Sequence, residues 1–300
     1  MTDASPRAPF GRLAARLLLA LALALALASP ALAQPPVWRI RAGAATVVLF
    51  GSFHLLPSGL DWRPPALDEA LGKARTLWFE LPLTAASDNA AAAAYEKHGR
   101  LPQGAALTAM MSQAEADKLR RVAAKLNCSM EALETMRPWR ADATISIAAD
   151  VQSGADAFHG VEDQIQALAP PTVPRRAFET AEQQVAFLSG APLGDQIAAL
   201  EWTLGQVEDD PGSYQRMLDA WMAGDLAGLE RDASEPLRRV APALYERLIA
   251  ERNRRWARVI RRRILKRAGL TVIVVGVGHL IGADGVPALL RRQGVTVEGP

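Results

Sequence analysis

Short, unbroken apolar runs stand near both ends of the chain, and helical periodicity fills most of the sequence between them. Residues 37–41 and 46–50 read as two strands around a turn at Gly43, and 76–79 as a third. From about 107 to 266 the pattern is mostly helical, with a capping box at Ser112-Gln113-Ala114-Glu115 opening one helix. A short strand is expected from Val173, after the Pro170-Pro171 break. The C-terminal stretch reads as a strand at 271–275, a helix at 286–292 and a strand at 295–297. These elements predict an α/β fold in a single domain, residues 34–300. Its mixed sheet is formed by N- and C-terminal strands around a large, mostly helical middle section.

The first 33 residues follow a different pattern. Arg7, Arg12 and Arg16 precede an apolar stretch, 17–28, and the small-residue site Ala31-Leu32-Ala33 follows it. That is the form of a secretory signal peptide. Its apolar stretch of 12 residues is shorter than the roughly 20 that span a bilayer, so membrane association is expected only through an uncleaved signal segment. The expected location is exported, periplasmic or secreted. Without Asp3 and the three arginines, acidic and basic residues balance at 31 each. A neutral exported chain is not expected to bind nucleic acid, and Arg254, Arg258, Arg261 and Arg262 read as a solvated basic face or a contact for anionic membrane or glycan. Cys128 is the single cysteine, so no intramolecular disulfide can form and the residue is assigned to the core.

Candidate chemistry gathers where strands end. His54 follows the second strand in Gly51-Ser52-Phe53-His54, His279 follows a later one in Gly276-Val277-Gly278-His279, and Glu80 ends the third. Open α/β sheets place ligand crevices at the carboxyl ends of their strands. Two imidazoles and a carboxylate meeting there would suit a divalent metal. The alternative is that each histidine bonds a backbone carbonyl and Glu80 pairs with a surface arginine. The repeated glycine favours a site, because it allows close backbone approach and unusual dihedrals. On a helix over about 243–266, Arg252 shares the face of Tyr245, Leu248, Ile249, Trp256, Val259 and Ile260. A guanidinium in an apolar stripe needs an anion, from the fold or from a substrate. Gly276-x-Gly278-x-x-x-Gly282 is set aside as a dinucleotide loop, since no third parallel strand follows it. His98 is assigned to an exposed loop or helix end; His159, just before the Gly-Val-Glu motif, is left unassigned, with support of the site as the minor alternative.

The paired G-x-x-H motifs with Glu80 between them resemble the TraB/GumN family. Pro138-Trp139, Gly160-Val161-Glu162, Glu179-Thr180 with Gln184, and Arg252-Asn253 extend the resemblance in order along the chain. That family is related to the Tiki metalloproteases and similar to the erythromycin-esterase and ChaN-like group. The resemblance implies metal or catalytic roles for His54, Glu80 and His279, a site role for Arg252, and manganese or cobalt before zinc. The resulting expectation is an exported metal-dependent hydrolase acting on a peptide. His54, Glu80 and His279 would be its metal ligands, Glu80 a ligand or general base, and Arg252 an oxyanion or carboxylate holder. The alternatives are a non-catalytic peptide- or glycan-binding protein and a polysaccharide-assembly accessory protein.

Overall fold

The computed structural model describes residues 34–156 and 160–300. The signal-peptide expectation and His159 lie outside the described residues. Six strands form one mixed sheet: β1 (Val37–Ala42), β2 (Ala45–Ser52), β3 (Ala74–Phe79), β4 (Arg175–Ala177), β5 (Gly269–Gly276) and β6 (Val297–Glu298), in the order β4-β3-β5-β2-β1-β6. β4, β3, β5 and β2 run parallel, so they present their carboxyl ends at one edge. β1 returns antiparallel from β2 through a turn at Gly43, whose φ of +57° suits glycine, and β6 pairs with it.

The central strands are apolar throughout because both of their faces are covered. Val48 and Phe50 of β2, with Val272 and Val274 of β5, face a core holding Trp62, Leu67 and Trp221. Val47, Leu49, Ile273 and Val275 point the other way, onto Trp256, Ile260, Ile264 and Leu290. A third cluster, including Leu119, Leu133, Ile145 and Leu204, belongs to the helical middle section alone. Cys128 is half-buried at its margin, so the core assignment holds only in part.

Two strand starts and one helix cap illustrate where the structure departs from the sequence pattern. β4 starts at Arg175, two residues after Val173, and the carbonyl of Pro174 accepts from the Leu77 amide at 3.0 Å. Proline has no amide to give a ladder, so pairing begins beyond it. Val295 closes the preceding helix by donating to Leu290 O at 3.0 Å, and the last strand starts at Val297. Ser112 caps its helix by accepting from the Glu115 amide at 3.2 Å, but Glu115 turns to Lys118; the complete capping box is at Thr180 and Gln183.

The long C-terminal helix forms as its apolar stripe requires, burying Arg252, Asn253, Trp256 and Ala257. Two wide turns, Glu246–Ala250 and Ile260–Ile264, bracket its segment Glu251–Val259. In the first, the Glu251 amide donates five residues back to Glu246 O, adding a residue to the turn immediately before Arg252.

Candidate active site

The carboxyl edge of the parallel strands brings His54, Glu80, Glu179 and His279 together, and the C-terminal helix adds Arg252 and Asn253. The first glycine of each paired motif is pressed by the other motif. A Cβ on Gly51 would meet Val277 at 2.9 Å, and one on Gly276 would lie 3.1 Å from His54 Nε2 and 3.2 Å from Glu80 Oε1. Neither glycine has positive φ, so close approach, and not unusual dihedrals, is what requires them. Gly276→Ala is therefore expected to fold but to displace the His54 and Glu80 side chains; NMR of the His54 ring beside circular dichroism checks this.

Arg252 lies at the centre. Its Nη2 donates to Glu80 Oε2 at 2.5 Å and its Nε to Glu179 Oε2 at 2.9 Å. Its Nη1 donates both to Leu248 O and to His279 Nε2, each at 2.9 Å. Arginine can only donate, so His279 Nε2 presents a lone pair and the ring proton sits on Nδ1. That Nδ1 bonds Asn253 Oδ1 at 2.7 Å, and the Asn253 amide nitrogen is fixed by Asp284 O at 2.8 Å. Trp256 forms the floor: the guanidinium carbon is 4.8 Å from its ring centroid and the His279 ring 4.4 Å. The Trp256 indole donates in turn to Glu179 Oε1 at 3.0 Å.

His54 stands apart at the mouth, its side chain 64% exposed. Its Nδ1 meets Glu162 Oε1 at 2.8 Å, and Ser52 Oγ donates to the same oxygen at 2.5 Å. Gly160 lets Glu162 come this close, because a Cβ there would strike His54 O at 2.4 Å.

A model of the TraB/PrgY/gumN family matches residues 36–299, nearly the whole chain. The protein belongs to the TraB/PrgY/gumN family. No curated protein and no solved structure matches it.

In this TraB/PrgY/gumN protein the sequence-predicted residues His54, Glu80, Arg252 and His279 all reach the same edge. Glu80 Oε1 is 3.7 Å from His279 Nε2, and Arg252 bonds both side chains. Among the described residues, however, no three His, Cys, Asp or Glu side chains close into one shell around a point that could hold a metal. Sequence reasoning gave no site role to Glu162, Glu179 or Asn253. One signal was present for Glu179: β3 and β4 both run into Phe-Glu, as Phe79-Glu80 and Phe178-Glu179, and these dipeptides sit side by side, with the amides of Phe178 and Glu179 donating to Phe79 O and Glu80 O. His98 is exposed at the end of the helix Ala85–Gly99, as expected.

A cavity of about 500 Å³ opens over His54 and His279, with walls that include Phe53, Leu55, Ile147 and Ile249. Asp150 also lines it, and burial pushes that carboxyl up to about 6. His54 also borders a second pocket of about 360 Å³ that holds Glu80, Asp88, Glu162 and Asp163.

The protonation states follow from these surroundings. Burial lowers His279 to about 3, keeping it neutral. Burial alone would raise Glu80, but positive groups, His279 and Arg252 foremost, and the Gly276 amide hold it at about 2. With His279 neutral at pH 7, the permanent charge of Arg252 is the cause that acts there. The Glu162 charge raises His54 to about 9, screened in part because the ring is so exposed.

Linkage turns these states into a stability profile for the metal-free protein. His279 and Glu80 have depressed folded values, so the unfolded chain takes up their protons first. Their contribution is complete above the ordinary values of 6.5 and 4.5 and is lost as pH falls towards about 3 and about 2. His54 is raised, so its contribution is complete below 6.5 and is lost as pH rises through about 9. Asp142 and Asp150, which burial raises to about 6, act in the opposite sense and add stability as pH falls from about 6 towards 3.8, so the His279 contribution is read as the difference between the wild-type and His279→Gln chains in urea denaturation between pH 3 and 7. A wild-type advantage over His279→Gln that does not shrink as pH falls from 6.5 towards 3 would contradict the neutral, buried state of His279.

Proposed function

We propose that this TraB/PrgY/gumN protein is an exported metal-dependent hydrolase that cleaves a peptide bond with an activated water. One observation carries the reading: both imidazoles have their outer nitrogen fixed by a polar partner, Glu162 for His54 and Asn253 for His279. The inner Nε2 of His279 lies 3.7 Å from Glu80 Oε1, and the Nε2 of His54 and Glu80 Oε1 both border Gly276. Ligating histidines are commonly held in this way by a second shell of carboxylate or carbonyl groups.

The donor set fits a divalent ion in type and in outer support, and His54, Glu80 and His279 would hold it. Arg252 Nη1 now bonds the His279 lone pair, so binding requires the guanidinium to release that nitrogen. A bound manganese, cobalt or zinc ion would polarise a carbonyl and lower the pKa of a water. Glu80, held at about 2, is a weak base and is better suited to be a ligand than to take a proton from water. Arg252 supplies a positive charge for the negative charge that develops on the carbonyl oxygen. The apolar cavity walls exclude water and receive the ligand's apolar side chains, while Asp150 offers a carboxylate to a cationic group. Export rests on the sequence of residues 1–33.

The test is hydrolysis of a mixed peptide pool by residues 34–300, followed by mass spectrometry with manganese, cobalt or zinc and after chelation. Cleavage that needs the metal and is lost in His279→Ala supports the reading. Tight peptide binding without cleavage under any condition would instead establish the second reading, a peptide- or glycan-binding protein. That alternative draws on the saturation of Arg252, whose Nε, Nη1 and Nη2 all have acceptors within the fold.

A further inference from the structure

We propose that the opposite edge of the sheet, where the parallel strands begin, carries a second site that binds a phosphate group. Arg75 from β3, Arg176 from β4, Arg263 from the last turn of the helix that carries Arg252, and Arg267 from the turn that follows it line one pocket of about 180 Å³. Trp78 forms an apolar wall, and the hydroxyls of Thr76 and Thr271 also border the space.

No carboxylate lines this pocket, and among the described residues none of the four guanidiniums has a hydrogen-bonded or ion-paired partner. Several exposed arginines elsewhere do, as Arg121 with Glu208, Arg216 with Asp210 and Arg231 with Asp232; Arg258, Arg261 and Arg262 are also unpaired among the described residues, but they do not line this pocket. The site is also shaped by the backbone. The Arg75 stem lies across Gly269, where φ is +100° and a Cβ would meet the Arg75 Cγ at 3.0 Å. Four like charges drawn from three elements repel one another until an anion enters. Planar guanidiniums match phosphate oxygens two at a time, which makes phosphate the fitting ligand. That group could belong to a small phosphate ester or to the headgroup of an anionic phospholipid.

The test uses residues 34–300 and two double variants of equal charge change. Arg75→Gln with Arg263→Gln removes two of the four charges from the pocket, whereas Arg258→Gln with Arg262→Gln alters exposed arginines of the same helix outside it. Glycerol 3-phosphate is titrated by calorimetry, and phosphatidylglycerol vesicles are compared with phosphatidylcholine vesicles by co-sedimentation. The pocket variant is expected to lose roughly tenfold or more in affinity while the control keeps its own. Binding of glycerol 3-phosphate alone identifies a soluble ester. Vesicle binding that glycerol 3-phosphate displaces identifies the headgroup. Equal losses in both variants would mean diffuse charge attraction and overturn the proposal, as would failure of the wild-type chain to bind either probe. Neither readout depends on hydrolysis, so the proposal stands or falls apart from the reading of the opposite edge.

Discussion

Replacing Arg252 by alanine is expected to lower the stability of the protein by about 3–5 kcal/mol, the usual cost of removing one partner from a buried ion pair. The side chain is 4% exposed and compensates Glu80 and Glu179, themselves 8% and 4% exposed. Glu179 would retain Arg255 and Trp256, but Glu80 would keep little beyond the Gly276 amide. Lysine should recover only part of the loss, because an ammonium cannot reach Glu80, Glu179 and His279 together as the planar fork does. The loss should also shrink in acid, where the freed carboxyls can protonate. Urea denaturation of the two variants at pH 7 and pH 4 measures all three effects. A change under about 1 kcal/mol for Arg252→Ala would mean that the buried carboxylates do not depend on this guanidinium.

Removing His54 should have the opposite signature. The ring is mostly exposed and makes one ion pair, with Glu162, which keeps its bond from Ser52. His54→Ala is expected to change stability by less than about 1 kcal/mol, as for other exposed pairs. It should nevertheless reduce peptide hydrolysis by roughly a hundredfold or more, the scale on which a group acting at the reacting centre contributes. Denaturation and rate measurements on one preparation separate the two quantities. A large stability loss with activity preserved would make His54 a structural residue.

The contrast between these residues bears on what the sequence reveals. The apolar runs of β2 and β5 are continuous because parallel strands are covered on both faces, and this makes the sheet and its carboxyl edge legible. Once that edge is known, His54, Glu80 and His279 need only neighbouring strands to converge. Arg252 is legible as a charge that must be satisfied, since it interrupts an apolar stripe. Its partners are not, because Glu80 and Glu179 lie 172 and 73 residues away in sequence. Glu162 is 110 residues from Ser52 and stands at the start of the helix Val161–Leu168, where an acidic residue already has a local reason to be. The wide turn before Arg252 leaves no mark in hydrophobic periodicity, because one added residue shifts the stripe by less than the width of the buried face.

The central claim is that His54, Glu80 and His279 act together on a bound metal. Elemental analysis of residues 34–300 tests it most directly, after equilibration with manganese, cobalt or zinc, beside His54→Ala and His279→Ala. The account predicts near-stoichiometric metal in the wild-type chain, lost in both variants while circular dichroism stays unchanged. Correctly folded wild-type protein that takes up none of the three metals, or variants that retain them in full, would contradict it.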